Sequence, residues 1–431
     1  MNEQTIRIGL AGFGTVGSGL VQILQNNREW IQKRLGKDVL VKTILVQDLQ
    51  KSRPSLPDTR TQLTDQVDDL LNDPELDIIV ELIGGLDTAY HLIKNSLQSG
   101  KSVVTANKAL LAEYGPELFE LAASKNLGLY YEASVAGGIP IVQTLKESLA
   151  GNRIKSLTGI LNGTANFILS EMTQKQLGYE QALALAQDKG YAEADPALDV
   201  DGLDAAHKLT VLIRLAYGQD YPLKDLPVHG IRDVDQYDIL RAGDFGYVLK
   251  LIAQVKEKSG SLQAGVFPAL VRKDHMLAKV DGPFNAILLE GNAVGPIMLY
   301  GQGAGDLPTG SAVLADIMTL VNRKSFFYNN TGFLDTSLPK ASILPPELTA
   351  AKHYFRFTVQ DRPGVLSVLS GIMGEHNISI AQVVQKQEAN GQTVPVVFLT
   401  HTAQLKNVAS AMAEISRLEF IKAPTVHYRL L

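Results

Sequence analysis

The sequence predicts an α/β protein of several domains, and three observations carry that prediction. The first is the stretch Ile6–Leu20, IRIGLAGFGTVGSGL, in which a short apolar run meets three glycines and then an amphipathic run. Strand, glycine turn and helix in that order open a Rossmann-type dinucleotide-binding domain. The second is the series of short apolar runs, most of them followed by a helical pattern, up to about residue 132, as a parallel sheet with crossover helices requires. The third is the order β-α-β-β-α-β after residue 352, the ferredoxin-like arrangement. The segment between them mixes helical and strand patterns, which fits an α+β domain with an open sheet for substrate binding or subunit contact.

Each element has its own warrant. Ile6 to Leu10 are a buried strand. Gly12, Gly14 and Gly17 keep the G-x-G-x-x-G spacing. Gly12 permits the tight turn, Gly14 leaves room for a pyrophosphate, and Gly17 lets the helix lie close on the strand. The free N–H groups of the helix start face an anion. An ordinary βα turn is the competing reading. Val39 to Val46 form the second strand, whose end meets an adenosine ribose in this fold. Asp48 there suits a ribose hydroxyl and favours NAD. Lys51 and Arg53 suit a 2′-phosphate and favour NADP, the preferred reading. A solvated turn is the alternative.

Leu76 to Ile83 are a third strand before Gly84-Gly85, Thr88 to Ser99 a helix, and Ser102 to Thr105 a fourth strand ending in Thr105-Ala106-Asn107-Lys108. Ligands bind outside the carboxyl ends of such strands, which puts Lys108 at the crevice. Leu127 to Glu132 lead into Ala133-Ser134-Val135-Ala136-Gly137-Gly138-Ile139-Pro140. One carboxylate beside free carbonyls can seat a hard cation; capping of the turn's own N–H groups by Glu132 is the plainer reading.

Beyond Pro140, Ile141 to Leu149 read as a helix, Ile154 to Leu161 as a strand, and Asn162-Gly163-Thr164 as a turn capping a helix over Ala165 to Met172. A helix over Tyr179 to Lys189 stops at Gly190. Glu193, Asp195, Asp199, Asp201 and Asp204 then fall within twelve residues, without EF-hand spacing. Gly202 to Tyr217 is a helix apolar on most sides, and Asp204 and Lys208 share one face of it. A lysine there is costly to bury unless it is paired or neutral. It can serve as a general acid or base; a structural ion pair is the alternative, and His207 turns to another face. Tyr247 to Val255 is expected to be a helix, and Gly260 to Pro268 and Ala286 to Glu290 strands. Gly301-Gln302-Gly303-Ala304-Gly305 form a second glycine loop opening a helix near Ser311. Either that helix start returns to the cofactor or the loop is an interdomain turn.

The chain has 45% hydrophobic and 20% charged residues, net charge −5 and no cysteine. This balance argues against a nucleic-acid or anionic-membrane partner. The absence of cysteine removes disulfides and thiol nucleophiles, and with them a phosphorylating semialdehyde dehydrogenase, whose thioester needs a thiol. With no apolar run of membrane-spanning length and no signal-peptide pattern at Met1 to Thr5, a cytoplasmic enzyme is expected.

In order, GFGTVG, TANK, EASVAGGIP, GYAEADP with the following aspartates and AAHK, GQGAG and DRPGVL resemble homoserine dehydrogenase of the bacterial single-function type with a C-terminal ACT domain. The resemblance covers essentially the whole chain and is to the form without an aspartate-kinase region. It implies NAD(P)-dependent interconversion of L-homoserine and L-aspartate 4-semialdehyde, on the path to threonine, methionine and isoleucine. It implies Lys208 as the acid/base, Lys108 as a second lysine near nicotinamide and substrate, and Glu193, Asp199 and Asp204 as substrate-site carboxylates. Cofactor contacts would be Gly12, Phe13, Gly14, Thr15, Val16, Gly17, Lys108, Gly190 and Gly303. A sodium ion would take Glu132 and the carbonyls of Val135, Gly137 and Ile139. Many relatives carry arginine where Gln47 stands. The resemblance also implies a homodimer or homotetramer and a threonine effector, bound at a strand-edge interface between two tails near Asp361 to Leu366 and Asn377. The expected domains are 1–132, completed by about 301–328, for the dinucleotide; 133–300 for catalysis and dimerisation; a linker at 329–351; and the ACT unit at 352–431. The rival functions are a non-catalytic amino-acid sensor and another NAD(P)-dependent alcohol or semialdehyde oxidoreductase.

Overall fold

The computed structural model describes residues 5–51, 59–322, 331–333, 338–385 and 393–431. The chain divides into two compact units. One takes Met1–Gly163, Leu203–Leu226 and Pro283–Ala341; the other takes Thr164–Gly202, Pro227–Gly282 and Ser342–Leu431.

The first unit is built on a six-stranded parallel sheet. Its strands are β1 (Ile6–Ala11), β2 (Val39–Leu45), β3 (Gln62–Thr64), β4 (Ile78–Glu81), β5 (Ser102–Thr105) and β6 (Leu129–Tyr130). They lie in the order β3-β2-β1-β4-β5-β6. Every residue of β4 and β5 is buried, as expected for strands covered by helices on both faces. The strand order reverses between β1 and β4, and Ala11 pairs with Glu81, which pairs with Thr105. Three strand ends are therefore level at the switch point, where this sheet type binds ligands.

The helix Asp306–Asn322, far along the chain, packs on Thr15–Asn26 and shares its core with Leu20, Val21, Val313 and Ile317. The approach needs small residues: a Cβ on Gly19 would lie 2.2 Å from the Asp306 carbonyl oxygen, and one on Gly310 2.7 Å from the Leu20 nitrogen. The helix starts at Asp306, ahead of the expected Ser311, because Pro308 falls in its first turn, where a missing N–H costs nothing. A second, antiparallel set of strands, Ile154–Ile160, Phe284–Gly291 and Gly295–Gln302, belongs to the same unit.

In the second unit Tyr247–Lys258 is a strand, which corrects the helix expected over Tyr247 to Val255. It forms a long hairpin with Ser261–Arg272. Residues 249–255 are buried without a break, so the alternation that marks a half-exposed strand is missing from the sequence. Ser259 and Gly260, both at positive φ (52° and 83°), make the two-residue turn that such hairpins favour. Arg429 and Leu430 of the strand Val426–Leu430 pair parallel with this hairpin. That strand continues the sheet into Ala350–Gln360, Thr393–Thr400 and Ile380–Gln385. With the helices Val365–Glu375 and Leu405–Ile415 this is the ferredoxin-like unit. Its first strand begins at Ala350, inside the segment expected to be linker. The described part of that segment is tied down: Ala341 donates to the Asp220 carbonyl in the first unit, and Leu344 to the Leu262 carbonyl in the second.

Candidate active site

At the first crossover, Gly12 has φ +100° and a Cβ there would sit 2.6 Å from the Leu82 carbonyl oxygen. Only glycine fits both conditions. A Cβ on Gly17 would lie 2.3 Å from the Gly12 carbonyl oxygen, which is the close helix–strand contact. Gly14 precedes the helix Thr15–Asn26 and has open space on its Cβ side. Phe13 and Val16 pack on the core, and Thr15 is exposed. This is a cradle of free N–H groups that fits a pyrophosphate. Past β2, Gln47, Asp48 and Lys51 are exposed, and Asp48 accepts from the Gln50 N–H at 2.8 Å. Arg53 lies outside the described residues.

The next strand ends are fixed by a buried carboxylate that the sequence did not single out. Glu81 accepts from the N–H groups of Ile83 and Gly84 at 2.9 and 3.0 Å and from Thr105 Oγ1 at 2.6 Å. Burial pushes its carboxyl above the usual range against those three bonds. Asn107 donates to the Gly85 carbonyl at 2.6 Å and caps the next helix by accepting from the Leu110 N–H at 3.1 Å. Lys108 is the first residue of that helix, Lys108–Ser124.

Lys108 meets the helix Leu203–Tyr217. Asp204 accepts from Lys208 Nζ at 2.7 Å through Oδ2 and lies 3.2 Å from Lys108 Nζ through Oδ1. Asn162 Nδ2 donates to Oδ2 at 2.8 Å, and Lys208 Nζ also donates to the Leu161 carbonyl at 2.7 Å. The Asp204 and Lys208 side chains are each 10% exposed and that of Lys108 37%. Burial alone would push the Asp204 carboxyl up. The two ammonium groups, with the Lys208 and Asn162 hydrogen bonds, overcome that and hold it well below the usual carboxylate range. His207 is half-buried, and desolvation lowers its imidazole below the ordinary value.

Arg214, on the same helix, is a further residue that the sequence reading passed over. Its guanidinium donates to the Leu111 carbonyl, to the Ala112 carbonyl at 2.7 Å and to Asp220 at 2.8 Å. Pro116 inside the Lys108 helix has no N–H to give the Ala112 carbonyl, and Arg214 supplies that donor. The clamp ties the helix of Lys108 to the helix of Lys208. A proline in mid-helix with a buried-pattern arginine elsewhere was the available signal.

Glu132, at the end of the sheet, is buried. It accepts from the N–H groups of Val142 and Gln143 at 2.8 and 2.7 Å, in the short helix Ile141–Gln143 after the Ala133–Pro140 turn and not in the turn itself. Its own N–H donates to Asp316 at 2.7 Å. Desolvation pushes the Glu132 carboxyl up to about 7 and that of Asp316 well above its ordinary value. Ala136 and Gly137 both have positive φ (57° and 54°), so the turn carrying Val135, Gly137 and Ile139 is sharply wound. The Ile139 carbonyl accepts from the Ile141 N–H at 2.8 Å. Gly137 packs on Gly303 of the second glycine loop: a Cβ there would lie 2.6 Å from the Gly303 carbonyl carbon. Among the described residues no group of three or more His, Cys, Asp or Glu is arranged for a metal ion.

Lys108, Asp204 and Lys208 are thus brought together within the first unit. Gly190, Glu193 and Asp199 belong to the second. There Gly190 has φ +73° after the helix Tyr179–Asp188, Glu193 is exposed with its carbonyl 3.1 Å from Gln187 Nε2, and Asp199 is half-buried in the short helix Ala197–Val200. Also in the second unit, a cavity of ≈ 410 Å³ opens at residues 359–366, with Gln385, Val394 and Val396 in its walls. Within one chain Asn377 follows the opposite end of the helix Val365–Glu375, roughly 16 Å away along the axis.

A dry carboxylate shared by two lysines, at the open ends of a dinucleotide-type sheet, is the decisive arrangement, and comparison with known proteins names its family. A model described as the homoserine dehydrogenase NAD binding domain matches residues 12–132, one described as homoserine dehydrogenase matches 140–318, and the ACT domain model matches 353–420. A homoserine dehydrogenase of Synechocystis is 42% identical over 97% of this chain and 98% of its own. The chain belongs to the homoserine dehydrogenase family. A homoserine dehydrogenase structure from Thiobacillus denitrificans has a TM-score of 0.92 at 39% identity, covering 99% of this chain and 98% of that one. A hyperthermophilic archaeal homoserine dehydrogenase in complex with NADPH is similar over 74% of this chain and 98% of its own, at 27% identity and TM-score 0.60. As a homoserine dehydrogenase the chain is an oxidoreductase that uses a nicotinamide dinucleotide. Among the described residues no helix is long and apolar enough to cross a membrane.

Proposed function

We propose that this homoserine dehydrogenase oxidises L-homoserine to L-aspartate 4-semialdehyde, and reduces it back, with Lys208 as the group that moves the hydroxyl proton. The observation that carries this is the buried Asp204 carboxylate bridging Lys208 and Lys108. The Gly12–Gly17 turn would hold the pyrophosphate of the dinucleotide, whose nicotinamide would supply the hydride acceptor. Lys208, as the free amine, takes the hydroxyl proton as the alcohol carbon loses its hydride; as the ammonium, it returns the proton to the forming alkoxide. Lys108 adds positive charge beside the developing oxyanion. Asp204 keeps both lysines in place and, with Glu193, meets the substrate ammonium; Asp199 is a further acidic residue of the substrate site. Gly190 and Gly303 contact the cofactor with Phe13, Thr15 and Val16. NADP is the preferred dinucleotide, with Lys51 and Arg53 as the phosphate partners.

The remaining assignments have separate support. A sodium ion is accommodated by Glu132, whose buried carboxylate accepts from the N–H groups of Val142 and Gln143, together with the carbonyls of Val135, Gly137 and Ile139. Threonine binds at a strand-edge interface between two tails near Asp361 to Leu366 and Asn377, where the cavity at residues 359–366 opens, and regulates turnover. The division into a dinucleotide domain over 1–132 completed by about 301–328, a catalytic domain over 133–300 and an ACT unit over 352–431 follows the same reading, as does a homodimer or homotetramer in the cytoplasm.

Initial rates with homoserine and NADP or NAD, with and without threonine, test this. The expected result is dinucleotide-dependent turnover, faster with NADP and slowed by threonine. Absence of turnover with either dinucleotide, in both directions, overturns the reading and leaves an amino-acid sensor. In Glu193→Ala the KM for homoserine should rise with kcat little changed; an unchanged KM rejects its role.

A further inference from the structure

We propose that Asn285 is a positioning residue for the reaction: its amide fixes the Leu161 carbonyl, and that carbonyl sets the direction in which the Lys208 amine meets the substrate hydroxyl. The proposal rests on the reading of Lys208 as the proton carrier.

Asn285 is fully buried on the strand Phe284–Gly291, and its Nδ2 donates to the Leu161 carbonyl at 2.9 Å. The same carbonyl accepts from Lys208 Nζ at 2.7 Å. Leu161 follows the last residue of its own strand, Ile160, whose partner is Ala286. Its carbonyl lies past the end of that ladder, at the entry to the Asn162-Gly163 turn, and the Asn285 amide holds it there.

The consequence is geometric. A lysine nitrogen is tetrahedral. One direction is its own Cε, one points to Leu161 O, and one points to Asp204 Oδ2, itself held by Asn162 Nδ2 at 2.8 Å. The fourth direction is then fixed, and it is the one left for substrate. If the Leu161 carbonyl swings, the amine turns with it.

Two features show that the side chain is held there at a cost. A Cβ on Gly303 would fall 2.1 Å from Asn285 Nδ2, so only glycine in the second glycine loop leaves room for the amide. Asn285 Oδ1 is buried with no hydrogen-bond donor among the described residues. A leucine of similar volume would leave no such orphan, so the Nδ2 donor is what distinguishes asparagine here.

The test is kinetic, with Asn285→Leu and the near-isosteric Asn285→Asp, which as a carboxylate cannot donate. Both should lose kcat for homoserine oxidation by up to about 100-fold. The KM for homoserine and the Kd for NADPH should stay within about twofold, and the unfolding midpoint should not fall in step with kcat. In a Lys208→Ala background, Asn285→Leu should cost nothing further, because the residue acts only through that amine. An unchanged kcat in Asn285→Leu, a loss that tracks the unfolding midpoint or the NADPH affinity, or a full additional loss in the double variant would each overturn the proposal. If Lys208→Ala itself turns over normally, the reading of Lys208 fails and takes this proposal with it. If Lys208→Ala is inactive and Asn285→Leu is normal, only this proposal fails.

Discussion

Asp204 and Glu132 are both buried carboxylates of the first unit, yet burial has opposite outcomes for them. Asp204 faces two ammonium groups and an amide, and stays ionised far below the ordinary range. Glu132 faces backbone N–H groups, and its carboxyl is pushed up to about 7. Peptide dipoles offset part of a desolvation cost; full cationic charge at 3 Å reverses it. The first carboxylate is therefore a finished electrostatic unit on which lysine chemistry can run. In the second, the N–H bonds and the charge of Lys146 offset burial only in part.

The sharpest way to break this contrast is to remove each carboxylate's charge. Asp204→Asn should lower kcat by about 10²- to 10⁴-fold, the usual range for disabling proton transfer. Glu132→Gln, assayed beside it, should retain most of its kcat. Comparable losses in steady-state assays would erase the distinction between the two sites.

A second comparison is between the site and the clamp behind it. Arg214→Met leaves the Leu111 and Ala112 carbonyls without their side-chain donor and should cost about 2 kcal/mol or more in urea unfolding. It should also lower kcat, by letting the two lysine-bearing helices slide. A variant as stable as the parent would show that the clamp is dispensable.

The sodium reading is sharpened by pH. The folded-state carboxyl of Glu132 lies above its ordinary value, so its contribution to stability is full below about 4.5 and is lost as pH rises to about 7. A cation needs the carboxylate, so the gain in unfolding midpoint on adding sodium should be larger at pH 8 than at pH 6. It should vanish in Glu132→Gln. Equal gains at both pH values would point to a general salt effect.

The smallest expected effect lies in the second unit, where the imidazoles of His353 and His427 are 2.9 Å apart in the sheet. Desolvation lowers His353 to about 4 and, with repulsion from its partner, His427 to about 3. Both values lie below the ordinary histidine range, so the unfolded chain binds more protons. Stability present above pH 6.5 should be lost as pH falls toward 4. His427→Gln should flatten that slope in acid unfolding.

The sequence reading recovered the elements that local chemistry specifies. The glycine spacing at Gly12–Gly17, the strand ends at Thr105–Lys108 and the shared face of Asp204 and Lys208 all follow from periodicity and steric need. It missed what depends on tertiary context. Tyr247–Lys258 is a strand covered on both faces, and its pattern is indistinguishable from a buried helix. Glu81, Asn162, Arg214 and Asn285 bond to backbone or side chains from 24 to 124 positions away. Apart from the mid-helix Pro116 that calls for Arg214, no local pattern announces such partners.

The central claim is that the Lys208 amine carries the proton of the alcohol. Its most direct test is single-turnover reduction of NADP by homoserine in Lys208→Ala, with and without a small primary amine in the buffer. The account predicts a rate lower by about 10²-fold or more that rises with amine concentration. A rate near that of the parent enzyme without added amine would contradict it.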